Sequence, residues 1–363
     1  MAGSGQKLKV AVLMGGISSE RDVSLSTGKQ ILDSLDRTKY KVIGIDAGAI
    51  PGRRQTSQPQ VEQEVKAVTD AKKSVLSSGQ LLPLDYVISS EGRPDVAVIA
   101  LHGRYGEDGT VQGMLELLGI PYTGSGVLAS ALAMDKAMAK KVMAADNIPV
   151  PRSVNFVCDD SEWDRAWVYK CVEEIGYPVI VKPSRQGSTI GMTKLDKPDG
   201  LDRAIELAAR YDNRILVEQF INGVELTVGV LGNNNPFALP VIEIVPAKGF
   251  YDFEAKYTPG ATEEIVPARI PDEAAAQAQE LAVRAHLSLG CSGMSRVDLI
   301  YVPRDDAGMR NSQSVESFYV LEVNTIPGMT PTSLLPRAAQ AAGISFSRLL
   351  DLLIEFALGD GTR

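Results

Sequence analysis

Cysteine and histidine are scarce in this 363-residue chain, and each scarcity removes a class of chemistry. The cysteines, Cys158, Cys171 and Cys291, are odd in number and form no CxxC pair, which leaves neither a disulfide framework nor a zinc knuckle. They point to a reducing compartment, the cytoplasm. The histidines, His102 and His286, are too few and too far apart for a multi-histidine metal site. Basic charge is short as well: 37 Lys and Arg against 45 Asp and Glu give a net charge of -8, with no basic run, so the electrostatic footprint of a nucleic-acid binder is missing. No apolar run reaches the length of a membrane span, and MAGSGQKLKVAVLMGG passes from a polar lead into a strand without the pattern of a signal peptide. Absence of a fixed-period repeat or low-complexity tract sets aside solenoids and disordered scaffolds. Carboxylates, amides and lysines must carry whatever chemistry there is.

What is present is ordinary globular material, 44% hydrophobic and 23% charged, enough for two or three domains. KVAVLMGG, YKVIGID and DVAVIALHG read as buried parallel strands, with a helix from about Ser19 to Leu35 between the first two. That alternation predicts a doubly wound α/β sheet whose functional loops, GGISSE and HGRYGEDG, lie at the carboxyl ends of strands. Residues 47–90 read as a surface excursion. SALAMDKAMAKKVMAADN predicts one helix, YPVIVKPSRQGSTIGMTKL a strand, turn and strand, and RILVEQFINGVELTVGVL a strand pair joined by an Asn222-Gly223 hairpin turn. A Pro/Gly-broken loop over 248–264, a helix over PDEAAAQAQELAVRAHLSLG, strands SRVDLIYV and FYVLEVNT, and the amphipathic ISFSRLLDLLIEFAL complete the chain. The class is α/β and α+β, with regions 1–125, 126–226 and 227–363.

Two strands carry charge where apolar residues should be. Arg296 and Asp298, and likewise Glu322 and Asn324, are two apart, so each strand projects its pair from one face. An unpaired charge there costs several kcal/mol, on the order of 3 or more, so these groups need partners or a ligand. Asp, Glu and Asn oxygens suit Mg²⁺ held against substrate phosphates; an Arg/Asp/Glu salt-bridge network accounts for them equally well. Upstream, Lys182 ends an apolar strand before a Gly/Ser turn, where a cation and backbone N–H groups can hold phosphate oxygens. Neither a Walker P-loop nor GxGxxG is present, so a P-loop kinase and a nicotinamide dehydrogenase are unsupported. Glu218 and Glu225 can accept from a nucleoside or face water, and a lone histidine such as His102 or His286 is most often structural.

Taken in order, HGxxGEDG, VKPSxxGSxxG, VEQFIxGxE, YDxxAKY, RVD and EVNTxPGMTxxSLxP resemble the D-alanine:D-alanine ligases of the ATP-grasp group, from Gly15 to Pro336. The resemblance implies an N-terminal Rossmann-like, pre-ATP-grasp domain with the first D-alanine site, then a two-part ATP-grasp fold. It also implies that Lys136, Lys182, Glu218, Glu225 and Lys256 contact ATP, and that Asp298, Glu322 and Asn324 ligate a pair of Mg²⁺ ions, with Mn²⁺ as a substitute. Glu20 matches the carboxylate that takes the first D-alanine's ammonium, with Ser188 and Tyr257 as partners in a closing triad. Arg296 and the Gly328 N–H match oxyanion donors, Ser333 and Leu334 the second carboxylate's site, and His102 a further active-site position. A homodimer and a role in cell-wall peptidoglycan synthesis follow from the same likeness.

The implied chemistry makes physical sense. A carboxylate resists amine attack because its leaving group is oxide, so the first D-alanine becomes an acyl phosphate, which the second amine displaces. Phosphoryl transfer among anions needs lysines and metal; the tetrahedral oxyanion needs Arg296; exclusion of water needs the 248–264 loop as a lid, latched by Tyr257 to Ser188. Rival readings are a ligase using D-lactate or D-serine, against which Ala255-Lys256-Tyr257 stands, and a non-catalytic ATP-binding module.

Overall fold

A computed structural model of the chain describes residues 7–48, 81–83, 87, 92–159, 162–187, 189–246, 262–304 and 317–359. In chain order come β1 (Leu8–Met14), α1 (Arg21–Ser34), β2 (Tyr40–Asp46), β3 (Leu81–Pro83), β4 (Val96–Ile99) and α2 (Thr110–Leu117). Next are α3 (Val127–Met134), α4 (Lys136–Ala145), β5 (Ser153–Val157), α5 (Arg165–Ile175), β6 (Val179–Pro183), β7 (Thr193–Leu195), α6 (Leu201–Ala209) and β8 (Arg214–Gln219). Then follow β9 (Val224–Gly232), β10 (Phe237–Ala238), β11 (Ile242–Pro246), β12 (Thr262–Ile265), α7 (Asp272–Ser288), β13 (Gly293–Val302) and β14 (Ser317–Asn324). Helices α8 (Leu334–Ala341) and α9 (Phe346–Gly359) end it. Packing groups these into two units, one of residues 1–127 with 326–363 and one of residues 128–325.

The first unit is built on a parallel sheet in the order β3-β2-β1-β4. Val10 to Leu13 are fully buried, which is why this stretch shows no alternation: both faces of a parallel sheet are covered. All carboxyl ends lie on one edge, so the segments after β1, β2 and β4 gather there. Gly15 and Gly16 have φ of +77° and +78°, which glycine alone adopts without strain. The loop they start is fixed by Ser24 Oγ, which accepts from Gly15 N at 2.8 Å and donates to Ala100 O at 2.6 Å.

The second unit has two antiparallel sheets. One, β5-β8-β6-β7, buries Val179, Val181, Ile215 and Val217 against α5 and α6. The other runs β12-β11-β9-β13-β14 with β10 beside β9, and buries Leu226, Val228, Val297, Leu299 and Val320 against the alanine-rich α7. Alternation then sends the intervening residues of each sheet to the opposite face.

Four expectations change. The single helix over 130–147 is broken at Asp135, whose carboxylate accepts from Met138 N and caps α4. β8 and β9 are both present but do not pair, since each belongs to a different sheet. The Asn222-Gly223 turn is therefore a crossover between sheets, and Gly223 is required by packing: a Cβ there would lie 2.4 Å from Tyr301 O. The expected 248–264 loop is cut short at its end, because Thr262 to Glu264 lie in β12, paired with β11. Within the 47–90 excursion, residues 81–83 form β3, an added parallel strand on β2.

Candidate active site

The polar face of the larger sheet is set by register. β13 pairs Arg296 with Asn324 and Asp298 with Glu322 of β14, and on its other side pairs Asp298 with Thr227 and Ile300 with Glu225 of β9. Directly opposed residues project the same way, so Glu225, Thr227, Arg296, Asp298, Glu322 and Asn324 share the face away from the α7 core. Arg296 donates from Nε and Nη2 to both oxygens of Asp298, at 2.9 and 2.8 Å. Asp298 also accepts from Thr227 Oγ1 at 2.6 Å and Asn324 Nδ2 at 3.1 Å. Lys136 Nζ stands 3.3 Å from Glu322 Oε2 and donates to Gln186 O at 2.9 Å. An ion-pair network and an oxygen-rich donor set thus coincide.

That donor set fits a hard cation. Two carboxylates and one amide offer the oxygen ligands Mg²⁺ takes, and Mg²⁺ characteristically completes its shell with water and phosphate. Among the described residues no three His, Cys, Asp or Glu stand together as a metal-holding group, and the donor set counted here includes the amide of Asn324.

Glu218 and Lys182 share the non-core face of the smaller sheet, on the neighbouring strands β8 and β6. Lys182 Nζ lies 2.5 Å from Glu218 Oε1, and Lys140 of α4 lies 3.0 Å from Oε2. Burial works to raise the Glu218 pKa, but the charges of Lys140 and Lys182 outweigh it and hold the carboxylate below its ordinary range.

In the first unit, Glu20 precedes α1 and its backbone N–H donates to Ser18 Oγ, which in turn donates to His102 O at 2.7 Å. The two loops are so close that a Cβ on Gly103, at φ +70°, would lie 2.7 Å from Glu20 Oε2. His102 is buried, with Nε2 3.1 Å from Thr27 Oγ1 and Nδ1 3.7 Å from Glu107 Oε1. Burial works against its charged form, yet the hydrogen bond and charge of Glu107, with the charge of Glu20, raise its pKa above the ordinary 6.5. Near α8, Ser333 Oγ accepts from Thr330 N at 3.0 Å and meets Thr330 Oγ1 at 2.7 Å. A Cβ on Gly328 would lie 2.8 Å from Ser333 Oγ, so a larger residue there would require the Ser333 side chain to shift. Ser333, whose own N–H donates to Thr330 O at 2.9 Å, and Leu334 sit at the start of α8, where the helix dipole favours an anion.

Glu20, His102, Gly328, Ser333 and Leu334 therefore fall in the first unit, and Lys136, Lys182, Glu218, Glu225, Arg296, Asp298, Glu322 and Asn324 in the second. Ser188, Lys256 and Tyr257 lie outside the described residues, as does most of the 248–264 loop. Sequence reasoning passed over Thr27, Glu107, Lys140 and Thr227. Glu107 was visible inside HGRYGEDG, and Lys140 stands four residues after Lys136, on the same helix face; Thr27 and Thr227 gave no signal beyond their periodicity.

Residues 9–125 match the family described as D-ala D-ala ligase N-terminus, and 142–355 the family D-ala D-ala ligase C-terminus. The D-alanine–D-alanine ligase of Pelotomaculum thermopropionicum is 45% identical over 355 residues, 97% of each chain. Among solved structures, a D-alanine–D-alanine ligase from Bacillus anthracis complexed with ATP is 31% identical, with a TM-score of 0.70 over 97% of this chain and 98% of that one. VanG D-Ala:D-Ser ligase from Enterococcus faecalis is 34% identical, with a TM-score of 0.73 over 97% of this chain and 100% of that one.

Proposed function

The chain belongs to the D-alanine–D-alanine ligase family, and from that premise we propose how its own residues join two D-alanines with ATP. The activity is the ADP-forming ligation that yields D-alanyl-D-alanine for peptidoglycan. The observation that carries the residue assignment is the shared face on which Glu225, Arg296, Asp298, Glu322 and Asn324 stand together, with Lys136 bound to Glu322.

Lys136, Lys182, Glu218 and Glu225 hold the nucleotide, the lysines meeting its phosphates and the carboxylates its hydroxyl and amino groups. Asp298, Glu322 and Asn324 would hold Mg²⁺ or Mn²⁺, as a pair of ions. When bound, the metal supplies positive charge against crowded phosphate oxygens. Lys136 Nζ, 3.3 Å from Glu322 Oε2, supplies the positive charge that partners this carboxylate.

Glu20 receives the ammonium of the first D-alanine, with the buried His102 beside it. The first D-alanine's carboxylate takes the γ-phosphoryl group of ATP, releasing ADP, and the amine of the second D-alanine then displaces phosphate from that acyl phosphate to form the peptide bond. Arg296, held flat by two bonds to Asp298, and the Gly328 N–H donate to the tetrahedral oxyanion. Ser333 and Leu334 at the α8 N-terminus receive the second carboxylate. Lys256 on the nucleotide, the Ser188–Tyr257 latch and a lid drawn from the residues between β11 and β12 complete the proposal on the strength of sequence. We also expect a homodimer. A cytoplasmic location is expected from the family and is in keeping with three free cysteines; among the described residues no helix is long and apolar enough to cross a membrane.

The test is phosphate release that depends on D-alanine and matches dipeptide formed, with D-serine and D-lactate as rival acceptors. ATP binding with neither product would overturn the assignment, and preference for D-serine would move it toward the VanG-like reading that the structural likeness keeps in view.

A further inference from the structure

Lys140 has no part in the roles above, yet it is the more deeply buried of the two lysines on Glu218. It leaves α4 one turn after Lys136, so both lie on one face of that helix. Its side chain is 3% exposed and its Nζ lies 3.0 Å from Glu218 Oε2. Lys182, with a side chain 11% exposed, takes the other oxygen, Oε1, at 2.5 Å. Side-chain exposure rises from Lys140 through Glu218 to Lys182, with the carboxylate taken at one oxygen by each lysine. Apart from that ion pair, Lys140 Nζ has no hydrogen-bonding acceptor among the described residues. Burial, with the charge of Lys182 acting the same way, lowers the Lys140 pKa against the pull of Glu218.

A lone Lys182–Glu218 pair would be neutral and would present an anion with a cation already matched. We propose that Lys140 is a positioning residue for nucleotide binding: a second cation, behind Glu218, that takes up the carboxylate's charge and fixes its orientation. Lys182, at the more open end, is thereby left with net positive charge in a set geometry toward the phosphates. This rests on the reading that Lys182 and Glu218 hold the nucleotide.

Electrostatics separates this role from a structural one. A third desolvated charge costs stability, and replacing it by an apolar side chain of similar length leaves a compensated pair, an exchange that is often neutral or stabilising. Stability and nucleotide affinity should therefore respond in different directions to the loss of Lys140.

The experiment uses the full chain with Lys140→Met, Lys182→Met, Glu218→Gln and the Lys140→Met/Glu218→Gln double variant, measuring thermal midpoints and steady-state constants. For Lys140→Met we expect KM for ATP to rise about tenfold, the loss expected when a charge a few ångström away disappears from a partly desolvated site. The KM values for D-alanine and kcat should stay within about twofold, with no fall in Tm, and the double variant should match Glu218→Gln alone. An unchanged KM for ATP, an additive double variant, or a lower Tm with every kinetic constant worsening together overturns the proposal. Lys140→Gln serves as a second probe, and failure of both Lys140 variants to fold assigns the residue to the core and overturns it too. If Lys182→Met leaves KM for ATP unchanged, the nucleotide reading itself fails. If Lys182→Met raises it and Lys140→Met does not, only the role of Lys140 falls.

Discussion

Arg296 and His286 each admit a functional and a structural reading, and a measurement separates the two. Arg296 is fixed by its two bonds to Asp298, so truncation should leave the strand intact while removing an oxyanion donor. Arg296→Ala is expected to keep the wild-type circular dichroism and to lose about 10²- to 10³-fold in kcat, the usual cost of one such donor; near-normal turnover would return Arg296 to a purely structural role. His286 is the opposite case: it is fully buried at the end of α7, bonded through Nδ1 to Ser295 Oγ at 2.8 Å, and burial lowers its pKa from 6.5 to about 4. The folded chain holds it neutral, and the unfolded chain takes up a proton first as pH falls. Its contribution is therefore complete above pH 6.5 and lost between pH 6.5 and about 4, up to about 3 kcal/mol. Urea midpoints followed over that range should fall more steeply for the wild type than for His286→Gln; parallel slopes would refute this. Taken as lone residues both histidines read as structural, and the family resemblance alone marks His102 as an active-site position. What distinguishes His102 is its approach to Glu107, which lies within the same HGRYGEDG segment, and to the charge of Glu20, which joins two loops and which no local pattern encodes.

At the scale of elements, strand parity was legible and helix breaks were not. The two-residue spacing of Arg296 with Asp298 and of Glu322 with Asn324 correctly placed all four on one face, because a strand has only two faces. Pairing partners were less legible: Asn-Gly between two apolar runs reads as a hairpin, but nothing local tells β8 and β9 that each completes a different sheet. Asp135 was missed for a related reason. Sitting between two helix-forming runs, it fits the apolar period of neither, and its capping role depends on Ser184, 49 residues downstream. Ser184 Oγ donates to Asp135 Oδ1 at 2.7 Å and accepts from Ala137 N at 3.1 Å, while Asp135 Oδ1 also caps Met138 N at 3.2 Å. This clasp sets the start of α4, the helix that carries Lys136 and Lys140. Asp135→Ala removes a cap and strands a buried hydroxyl, so it should cost about 2 kcal/mol in urea denaturation and raise KM for ATP severalfold. Lost stability with an unchanged KM would show that the cap does not set the lysines.

For the whole molecule, the chain's return matters most. Sequence order suggested that 227–363 belongs together, but packing places 326–363 with residues 1–127. No pattern within ISFSRLLDLLIEFAL names the core it joins; its amphipathic face is legible, its partner is not. The partner is fixed by Asp351 of α9, which is 5% exposed and accepts from Tyr40 Oη at 2.8 Å and Lys39 Nζ at 2.6 Å, across more than 300 residues of sequence. Burial and then the bond to Asp351 raise the Tyr40 pKa, so the phenol remains a donor throughout the physiological range. Asp351→Ala leaves the Tyr40 hydroxyl without its charged acceptor, a loss of about 1.5 to 3 kcal/mol for a bond of this kind. The effect should be confined to one unit. Hydrogen exchange should quicken at the amides of β1, β2 and β4 and stay unchanged in β9 and β13, because those strands draw their core from α7. Equal acceleration in both sets would mean that the two units unfold as one, and that the clasp at Asp351 governs the whole chain.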